Sequence, residues 1–325
     1  MTSDDTAGPG PSSRAVETHA VLSPDQASDV LDLLAEAAHA DGRQAVSEQG
    51  RLQLRGGARE GVSHLLLRVD GRLAGYAQLE DTDPVEAPAG ELVIRPAYRG
   101  HGHGRVLGTA LLGASGKRLR VWAHGGHSAA RHLAQVLGLT LFRELRQMRR
   151  SLEDGAESAQ PGRAGRADAD AGFGAPVLPE GVVVRTFVPG QDDAAWLAVN
   201  SAAFAHHPEQ GSLTQRDLDD RMSQPWFDPR GFFLAFRDDE LIGFHWTKVH
   251  AEEQLGEVYV LGVRPGAQGG GLGKALTVIG LRHLAAERVP TAMLYVDADN
   301  RAAVAVYERL GFRTYEVDLM YRTET

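Results

Sequence analysis

The sequence predicts an α+β protein in which one fold is built twice. Apolar strands alternate with helical segments in both halves of the 325-residue chain. A glycine-rich turn follows an apolar strand in each half, and the matching glycines, Gly102 and Gly271, lie 169 positions apart. Residues 153–179, between the halves, carry Gly, Ala, Asp, Arg and Pro without an apolar period. We therefore expect two tandem domains, each a mixed, mostly antiparallel sheet flanked by helices.

The first half is expected to follow a disordered polar tail at residues 1–17 and to extend over 18–152. Ser23-Pro24-Asp25-Gln26 is a typical helix start, and Asp70-Gly71 is a typical hairpin turn between two strands. The expected elements after the helix start, in order, are strands at 63–69 and 73–79, a strand at 91–94, a helix at 105–115, a strand at 119–123, a helix at 128–137 and a strand at 141–149.

Residues 153–179 have the composition of a linker, and residues 180–325 are expected to repeat the plan of the first half. The expected elements, in order, are a strand at 182–187, helices at 192–204 and 214–222, strands at 232–237, 240–249 and 257–263, a helix at 273–287, a strand at 292–297, a helix at 301–310 and a final strand to residue 321.

The composition narrows the classes of function. A net charge of −9 gives no basic surface of the kind that nucleic acids require. The absence of cysteine excludes disulfides, thiolate nucleophiles and cysteine-ligated metals. No apolar run reaches the roughly 18 residues of a membrane span, and the N-terminus lacks the pattern of a signal peptide. We expect a cytoplasmic monomer that acts on small molecules.

The two glycine turns carry the strongest signal. Each follows a strand and a proline, and each reads Arg or Gln-x-x-Gly-x-Gly before a helix. Such a turn can direct several backbone N–H groups at a phosphate. A Walker loop is excluded, because Ala275 stands where Gly273-Lys274 would need Ser or Thr, and neither copy has the spacing of a dinucleotide fingerprint. A structural turn and a coenzyme A pyrophosphate loop remain.

On Arg99, Gly102 and Gly104, and on Gln268, Gly271 and Gly273, each half resembles a domain of the GNAT acetyltransferase superfamily. The resemblance implies that acetyl-CoA is the cosubstrate and that no metal takes part. It also implies that the turn amides hold the pyrophosphate and that the preceding strand pairs with the pantetheine arm. The cofactor-binding residues so implied are Leu261, Gly262, Val263, Gln268, Gly269, Gly270, Gly271, Leu272, Gly273, Lys274, Asn300, Arg301, Ala302, Ala303, Val304 and Ala305 in the second half, and Leu92, Val93, Ile94, Gly100, His101, Gly102, His103, Gly104 and Arg105 in the first.

Comparison of the two halves predicts that only the second is catalytic. At an offset of 169 Glu257 matches Pro88, and at an offset of 173 Tyr307 matches Ala134. Acetylation of an amine needs a group that accepts the amine proton and one that returns a proton to the thiolate. The resemblance implies Tyr307 as the acid, and we assign Glu257 as the base, acting directly or through water. The ordinary alternatives are a solvated carboxylate and a packing tyrosine.

This catalytic interpretation makes two geometric predictions. The Glu257 and Tyr307 side chains should lie on the same side of the sheet, close to the thioester. The backbone N–H that holds the tetrahedral oxyanion should lie where the central strand bulges, and we assign it to Leu261.

Four further segments, 207–211, 226–229, 243–248 and 257–263, resemble a tandem group within the superfamily that acetylates the cysteinyl amine of a cysteinyl-glucosaminyl-inositol. That resemblance implies an acceptor site of Glu48, Glu209, Lys248, Glu257 and Tyr295. It also implies that the first half binds acetyl-CoA as a structural or regulatory ligand. Two alternatives stay open: a tandem N-acetyltransferase for another small amine or a protein N-terminus, and a non-catalytic acyl-CoA sensor.

Overall fold

The computed structural model describes residues 13–324 except 56, 84, 154–172 and 206. Most of the expected tail and most of the expected linker therefore lie outside the described residues. The chain divides into two compact units, one formed by the described parts of Met1–Arg143 and Asp318–Thr325, and the other by those of Glu144–Val317. Each unit is a mixed, mostly antiparallel sheet flanked by helices, which confirms the predicted fold class.

The elements are numbered in chain order. The strands are β1 (Arg14–His19), β2 (Val62–Val69), β3 (Arg72–Glu80), β4 (Ala89–Ile94), β5 (Arg120–Ala123), β6 (Leu139–Ser151), β7 (Val182–Thr186), β8 (Phe232–Arg237), β9 (Glu240–His250), β10 (Leu255–Val263), β11 (Thr291–Asp297) and β12 (Arg313–Thr323). The helices are α1 (Pro24–Asp41), α2 (Glu48–Arg55), α3 (His103–Ala114), α4 (Ser128–Val136), α5 (Asp193–Ala203), α6 (Pro208–Gly211), α7 (Gln215–Met222), α8 (Leu272–Ala286) and α9 (Arg301–Arg309).

The sheet of the first unit runs β1-β2-β3-β4-β5 and ends on the distal part of β12, where Leu319–Arg322 pair antiparallel with β5. Its pairs are antiparallel except for β4 with β5, which are parallel. The capping box at Ser23 and Gln26 starts α1, as the sequence indicates. Residues 14–17, expected to be part of a disordered tail, instead belong to β1, which pairs with β2.

The sheet of the second unit begins with the distal part of β6, where residues 145–151 pair with β11, and continues through β10, β9, β8 and β7. Only β10 with β11 is parallel. Phe173, expected to lie in the linker, is buried in the core of this unit, beneath the guanidinium of Arg150. Its apolar ring is removed from water there, which explains why this end of the linker is ordered.

Two cores cover the two faces of the second sheet. On one face, α8 and α9 pack against Val258 and Leu294. On the other, an aromatic cluster centres on Trp246, whose ring stacks on Phe232 at 4.4 Å and meets Trp196 edge-on at 5.7 Å. Such pairs fix ring orientation as well as burying apolar area. Among the described residues, no helix has the length and hydropathy needed to cross a bilayer.

Candidate active site

The two glycine turns have the same backbone. Gly100 and Gly102 have φ of 81° and 77°, and Gly269 and Gly271 have φ of 85° and 83°. This left-handed region favours glycine, and a Cβ there would be strained. Gly102 and Gly271 are the N-caps of α3 and α8. Within the described structure, no side chain makes a capping hydrogen bond at either helix start. The first amides of both helices are therefore available to an anion.

The first residue of each motif closes its turn onto the strand before it. Arg99 Nε donates a hydrogen bond to the Ile94 carbonyl at 3.0 Å. Gln268 Nε2 donates the equivalent bond to the Val263 carbonyl at 3.1 Å. Both side chains supply an N–H at this point, which explains why the motif accepts either residue. Sequence reasoning missed this role.

Arg99 also forms an ion pair with Asp41. Its guanidinium donates to both carboxylate oxygens of Asp41, at 2.6 and 2.9 Å. The hydrogen bond from Arg99 holds the pKa of Asp41 below its usual value, against the opposing effect of burial. The fork of Arg99 therefore ties α1 to the turn.

His103 and Leu272 occupy matching positions, directly after the N-cap glycines of the two turns. Both begin their helices, and both are buried, with 5% and 2% exposure. Burial lowers the pKa of His103, so the ring is less basic than an ordinary histidine. The matching position of Leu272 shows that this is a packing position in both turns.

The parallel strands of each unit separate shortly before the turn. In the second unit the registered pairs of β10 with β11 run from Leu255–Thr291 to Val258–Leu294. In the first unit they are Ala89–Arg120 and Gly90–Val121. Over the described residues, β10 and β4 continue beyond these pairs on their antiparallel neighbours alone. This leaves, in each unit, a strand edge that an extended ligand can pair with.

A bulge distinguishes the second unit from the first. The register of β10 on β9 shifts between Val258 and Val260, so Tyr259 is an extra residue. In contrast, β4 pairs with β3 without a shift from Ala89 to Ile94. The expected bulge therefore exists, but at Tyr259. Leu261 lies two residues further on, in regular pairing with His245.

The bulge also corrects the internal alignment. The last parallel pair is Val258–Leu294 in the second unit and Gly90–Val121 in the first. Counted from these pairs, Glu257 occupies the place of Ala89. The ungapped offset matched it with Pro88, because sequence alone does not reveal the inserted residue. Neither residue of the first unit is a carboxylate, so the contrast between the halves stands.

Three of the five residues expected to hold the acceptor lie on one face of the second sheet. Glu257 is directly opposite Lys248 on β9 and Met293 on β11. Tyr295 is two residues beyond Met293, so it projects from the same face. Glu257 and Lys248 are 7% and 6% exposed, whereas Tyr295 is 42% exposed. A buried charged pair beside an accessible phenol forms a polar patch in an otherwise apolar sheet.

Each of these three side chains has a defined contact. Glu257 Oε2 lies 2.7 Å from His250 Nε2. The Lys248 ammonium lies over the Trp226 ring, 4.3 Å from its centroid. Tyr295 accepts a hydrogen bond from Gln147 Nε2 at 2.7 Å. These contacts fix the orientation of the three groups.

The other two expected acceptor residues, Glu48 and Glu209, stay predictions. Glu48 is the first residue of α2, in the first compact unit. The side chain of Glu209, in α6, lies outside the described part of the structure. Asn300 has the cap role that its position indicates, since its side chain accepts from Ala303 N at 3.1 Å at the start of α9. Residues 301–305 form the first turns of that helix.

Tyr307 lies on the opposite face from Glu257. It is 9% exposed and packs in the cluster that contains Val258 and Leu294. Burial raises its pKa to about 12. The expectation that Glu257 and Tyr307 lie on the same side of the sheet is therefore wrong. Successive residues of a strand point to opposite faces, and Glu257 directly precedes Val258, which is on the face of Tyr307. The two groups can act on one carbonyl only through the gap where β10 and β11 separate.

In the first unit a buried charge network lies just beyond the last parallel pair of β4 with β5. Glu91, on β4, accepts hydrogen bonds from Ser47 N at 2.9 Å and from His124 Nε2 at 2.8 Å. The other nitrogen of His124 lies 3.1 Å from Asp318 Oδ2. Burial lowers the pKa of His124, but hydrogen bonds with Asp318 and Glu91 outweigh it and raise the pKa to about 10. His124 is therefore an imidazolium held between two carboxylates.

This network was not foreseen from sequence. A lone acid at the start of the apolar run Glu91–Ile94 was the available signal. Both ring nitrogens of His124 are engaged by carboxylates, so the ring has no lone pair to offer a metal. No group of three or more side chains suited to a metal ion occurs among the residues that the structure describes.

Each α+β unit thus has a separated pair of parallel strands that leads into an uncapped glycine turn. A family model described as Acetyltransferase (GNAT) family matches residues 29–139 and 199–312. The chain therefore belongs to the GNAT acetyltransferase family, and it is an acetyl-transferring enzyme.

Known relatives extend over the full chain. It is 75% identical over 325 residues to a protein named Mycothiol acetyltransferase from Streptomyces avermitilis, and the match covers 100% of both chains. It is 74% identical over 325 residues to one of the same name from Streptomyces scabiei, also covering 100% of both. A solved structure described as a tandem GNAT protein from the clavulanic acid biosynthesis pathway is similar in fold, with 19% identity, a TM-score of 0.68, and coverage of 95% of this chain and 98% of that one.

Proposed function

We propose that this enzyme transfers an acetyl group from acetyl-CoA to the cysteinyl amine of 1D-myo-inositol 2-(L-cysteinylamino)-2-deoxy-α-D-glucopyranoside, giving mycothiol and CoA. The observation that carries the proposal is full-length identity of 75% to a relative named Mycothiol acetyltransferase. The polar patch of Lys248, Glu257 and Tyr295 supports it, because such groups hydrogen-bond sugar and inositol hydroxyls. The reaction takes place in the second unit.

Acetyl-CoA binds along the free edge of β10, with its pyrophosphate on the amides of the Gln268–Gly273 turn. The pantetheine arm pairs with residues 261–263, as a further strand would. Asn300 and the first turns of α9 flank the same ligand. The matching turn at Arg99–Gly104 binds a second coenzyme molecule, which serves structure or regulation because the first unit lacks the catalytic pair.

The chemical step needs one proton removed and one supplied. An α-amine has a pKa near 8, so an appreciable fraction is neutral at neutral pH. Glu257 accepts one proton of the neutral amine, directly or through one water, as the nitrogen attacks the thioester carbonyl. A backbone N–H at the β10 bulge holds the oxyanion. Tyr307 stays protonated because its pKa is raised to about 12, and it donates to the sulfur as the carbon–sulfur bond breaks.

A panel of acceptors tests the proposal. The purified protein is mixed with acetyl-CoA and, separately, the cysteinyl pseudodisaccharide, the glucosaminyl-inositol without cysteine, an aminoglycoside and an N-terminal peptide. Mass spectrometry then follows the acetylated product. A thiol-reactive dye cannot be used to detect released CoA, because the first acceptor carries a thiol of its own. We expect turnover on the cysteinyl pseudodisaccharide alone. Acetylation confined to the peptide or the aminoglycoside overturns the proposed substrate, and no transfer at all favours an acyl-CoA sensor.

A further inference from the structure

We infer that His250 is a positioning residue for Glu257, directing one carboxylate oxygen at the acceptor amine by binding the other. His250 is the last residue of β9, and its Nε2 lies 2.7 Å from Glu257 Oε2. The side chains are 23% and 10% exposed. This inference rests on the proposed function, in which Glu257 is the base.

The sheet register explains how the two residues meet. His250 is opposite Leu255, and Glu257 is opposite Lys248. His250 and Glu257 are therefore diagonal neighbours on one face of an antiparallel pair, a separation that long side chains bridge. The bond crosses from one strand to the next and needs no loop to hold it. A catalytic group held by a rigid strand keeps its geometry better than one held by a loop.

The first unit serves as an internal control. There the place of Glu257 is taken by Ala89, which pairs with Glu80 in the way that Glu257 pairs with Lys248. Two residues further along the chain, the place of His250 is taken by Thr82. Both members of the pair are thus absent from the half that lacks catalytic residues.

A hydrogen bond donated to Oε2 does two things to Glu257. It fixes the side-chain rotamer, so that Oε1 is the oxygen left for the amine proton. It also stabilises the charged carboxylate, because the bond is a charge-assisted hydrogen bond. During transfer the amine proton moves to Oε1, the nitrogen–carbon bond forms, the carbon–sulfur bond breaks and Tyr307 protonates the sulfur. Glu257 later releases its proton to water and the Tyr307 phenolate takes a proton back from water, so atoms and charges balance over the cycle.

Other charged groups on this face contribute to the same field. Those in the packed elements are Lys248 on β9, Tyr259 on β10, Tyr295 on β11, Arg149 on β6 and Arg221 on α7. All of them are retained when His250 alone is replaced. A change in rate in a His250 variant therefore reports on the bond to Glu257.

The test compares three substitutions in the full chain. In His250→Ala, kcat/KM for the acceptor should fall at least tenfold, with the KM for acetyl-CoA unchanged. His250→Gln carries an amide N–H that can reach Oε2, so it should recover most of the activity. His250→Asn is polar but too short to reach, and it should behave like the alanine variant.

The outcomes separate this inference from the proposed function. Should Glu257→Gln abolish transfer while both short variants keep the wild-type rate, the positioning role is refuted and the base assignment survives. Should Glu257→Gln itself leave transfer unchanged, the proposed mechanism fails first. Thermal unfolding and acetyl-CoA binding of each variant verify folding. If alanine unfolds the protein, the comparison of asparagine with glutamine decides alone.

Discussion

Arg99 and Gln268 make the same hydrogen bond in the two halves of the chain, each from a side-chain N–H to the last carbonyl of the preceding strand. The bond fixes how the strand enters the turn, and hence where the helix amides point. In the second turn an uncharged donor is enough for this bond, whereas in the first turn the charge of Arg99 also pairs with Asp41. The Gln268 position is therefore the one at which donor and charge can be separated.

The first prediction concerns this bond in the second unit. Gln268→Leu removes the donor and should weaken acetyl-CoA binding there by about 2- to 10-fold, since a net hydrogen bond is worth about 0.5–1.5 kcal/mol. The readout is the KM for acetyl-CoA. Gln268→Arg is the matched control, because it copies the first turn and should keep near wild-type KM. Equal losses in both variants would show that shape or charge matters more than the donor.

The second prediction concerns Tyr307. Tyr307→Phe should lower kcat by roughly 10²-fold or more, the scale of general acid catalysis, with little change in the KM for either substrate. The phenol is buried in an apolar cluster, so phenylalanine should fit the same space and leave the melting temperature almost unchanged. Steady-state kinetics and thermal unfolding measure the two effects. A rate equal to wild type rules out Tyr307 as the acid.

The third prediction follows from the raised pKa of His124. Its folded-state pKa of about 10 lies above the ordinary value of 6.5. Protonation therefore stabilises the folded state fully below about pH 6.5, and that stability is lost as pH rises through about 10. The loss should be on the order of a few kcal/mol. Urea unfolding between pH 7 and 10 measures it.

The variant His124→Gln provides the reference for that measurement, because other groups also titrate at high pH. Subtracting its pH dependence isolates the contribution of His124. Asp318→Asn weakens the same network and should reduce the difference. A wild-type curve parallel to that of His124→Gln over the whole range would contradict an imidazolium between two carboxylates.

The fourth prediction concerns packing under α8. A Cβ on Gly280 would collide with the ring of His245, which is fully buried and bonded through Nδ1 to the Leu276 carbonyl at 2.7 Å. Gly280→Ala should lower the free energy of unfolding by about 1–3 kcal/mol. Gly113→Ala in α3 is the control, because a Cβ there meets no atom within 4 Å. That change should be neutral or stabilising by up to about 1 kcal/mol.

Most of the element order could be predicted, because turns and helix starts have local signals, but β1, α2 and α6 were not among the expected elements. The hairpin at Asp70-Gly71, the box at Ser23 and the paired glycine turns all formed as expected. The extra residue Tyr259 could not be foreseen, because a bulge depends on register with the neighbouring strand and no residue type marks it. The opposite-face position of Tyr307 depends on how α9 packs on the sheet, which no local pattern specifies.

The limits of the compact units could not be predicted from the sequence either. Leu319–Arg322 pair with β5, and residues 145–151 pair with β11, although both segments are distant in sequence from these partners. Apolar strands at these positions were evident, but a strand's period says nothing about which edge it joins. The Glu91–His124–Asp318 network depends on that same long-range pairing, so its three members carried no joint signal.

The pairing of Leu319–Arg322 with β5 has a consequence for synthesis in the cell. The ribosome makes β5 early, whereas its partner residues Leu319–Arg322 follow only after the second unit, Glu144–Val317. Until those residues emerge, β5 lacks this partner and keeps an unoccupied hydrogen-bonding edge, which attracts other strands. The nascent chain thus has to protect β5 from other strands until residues 319–322 have been made.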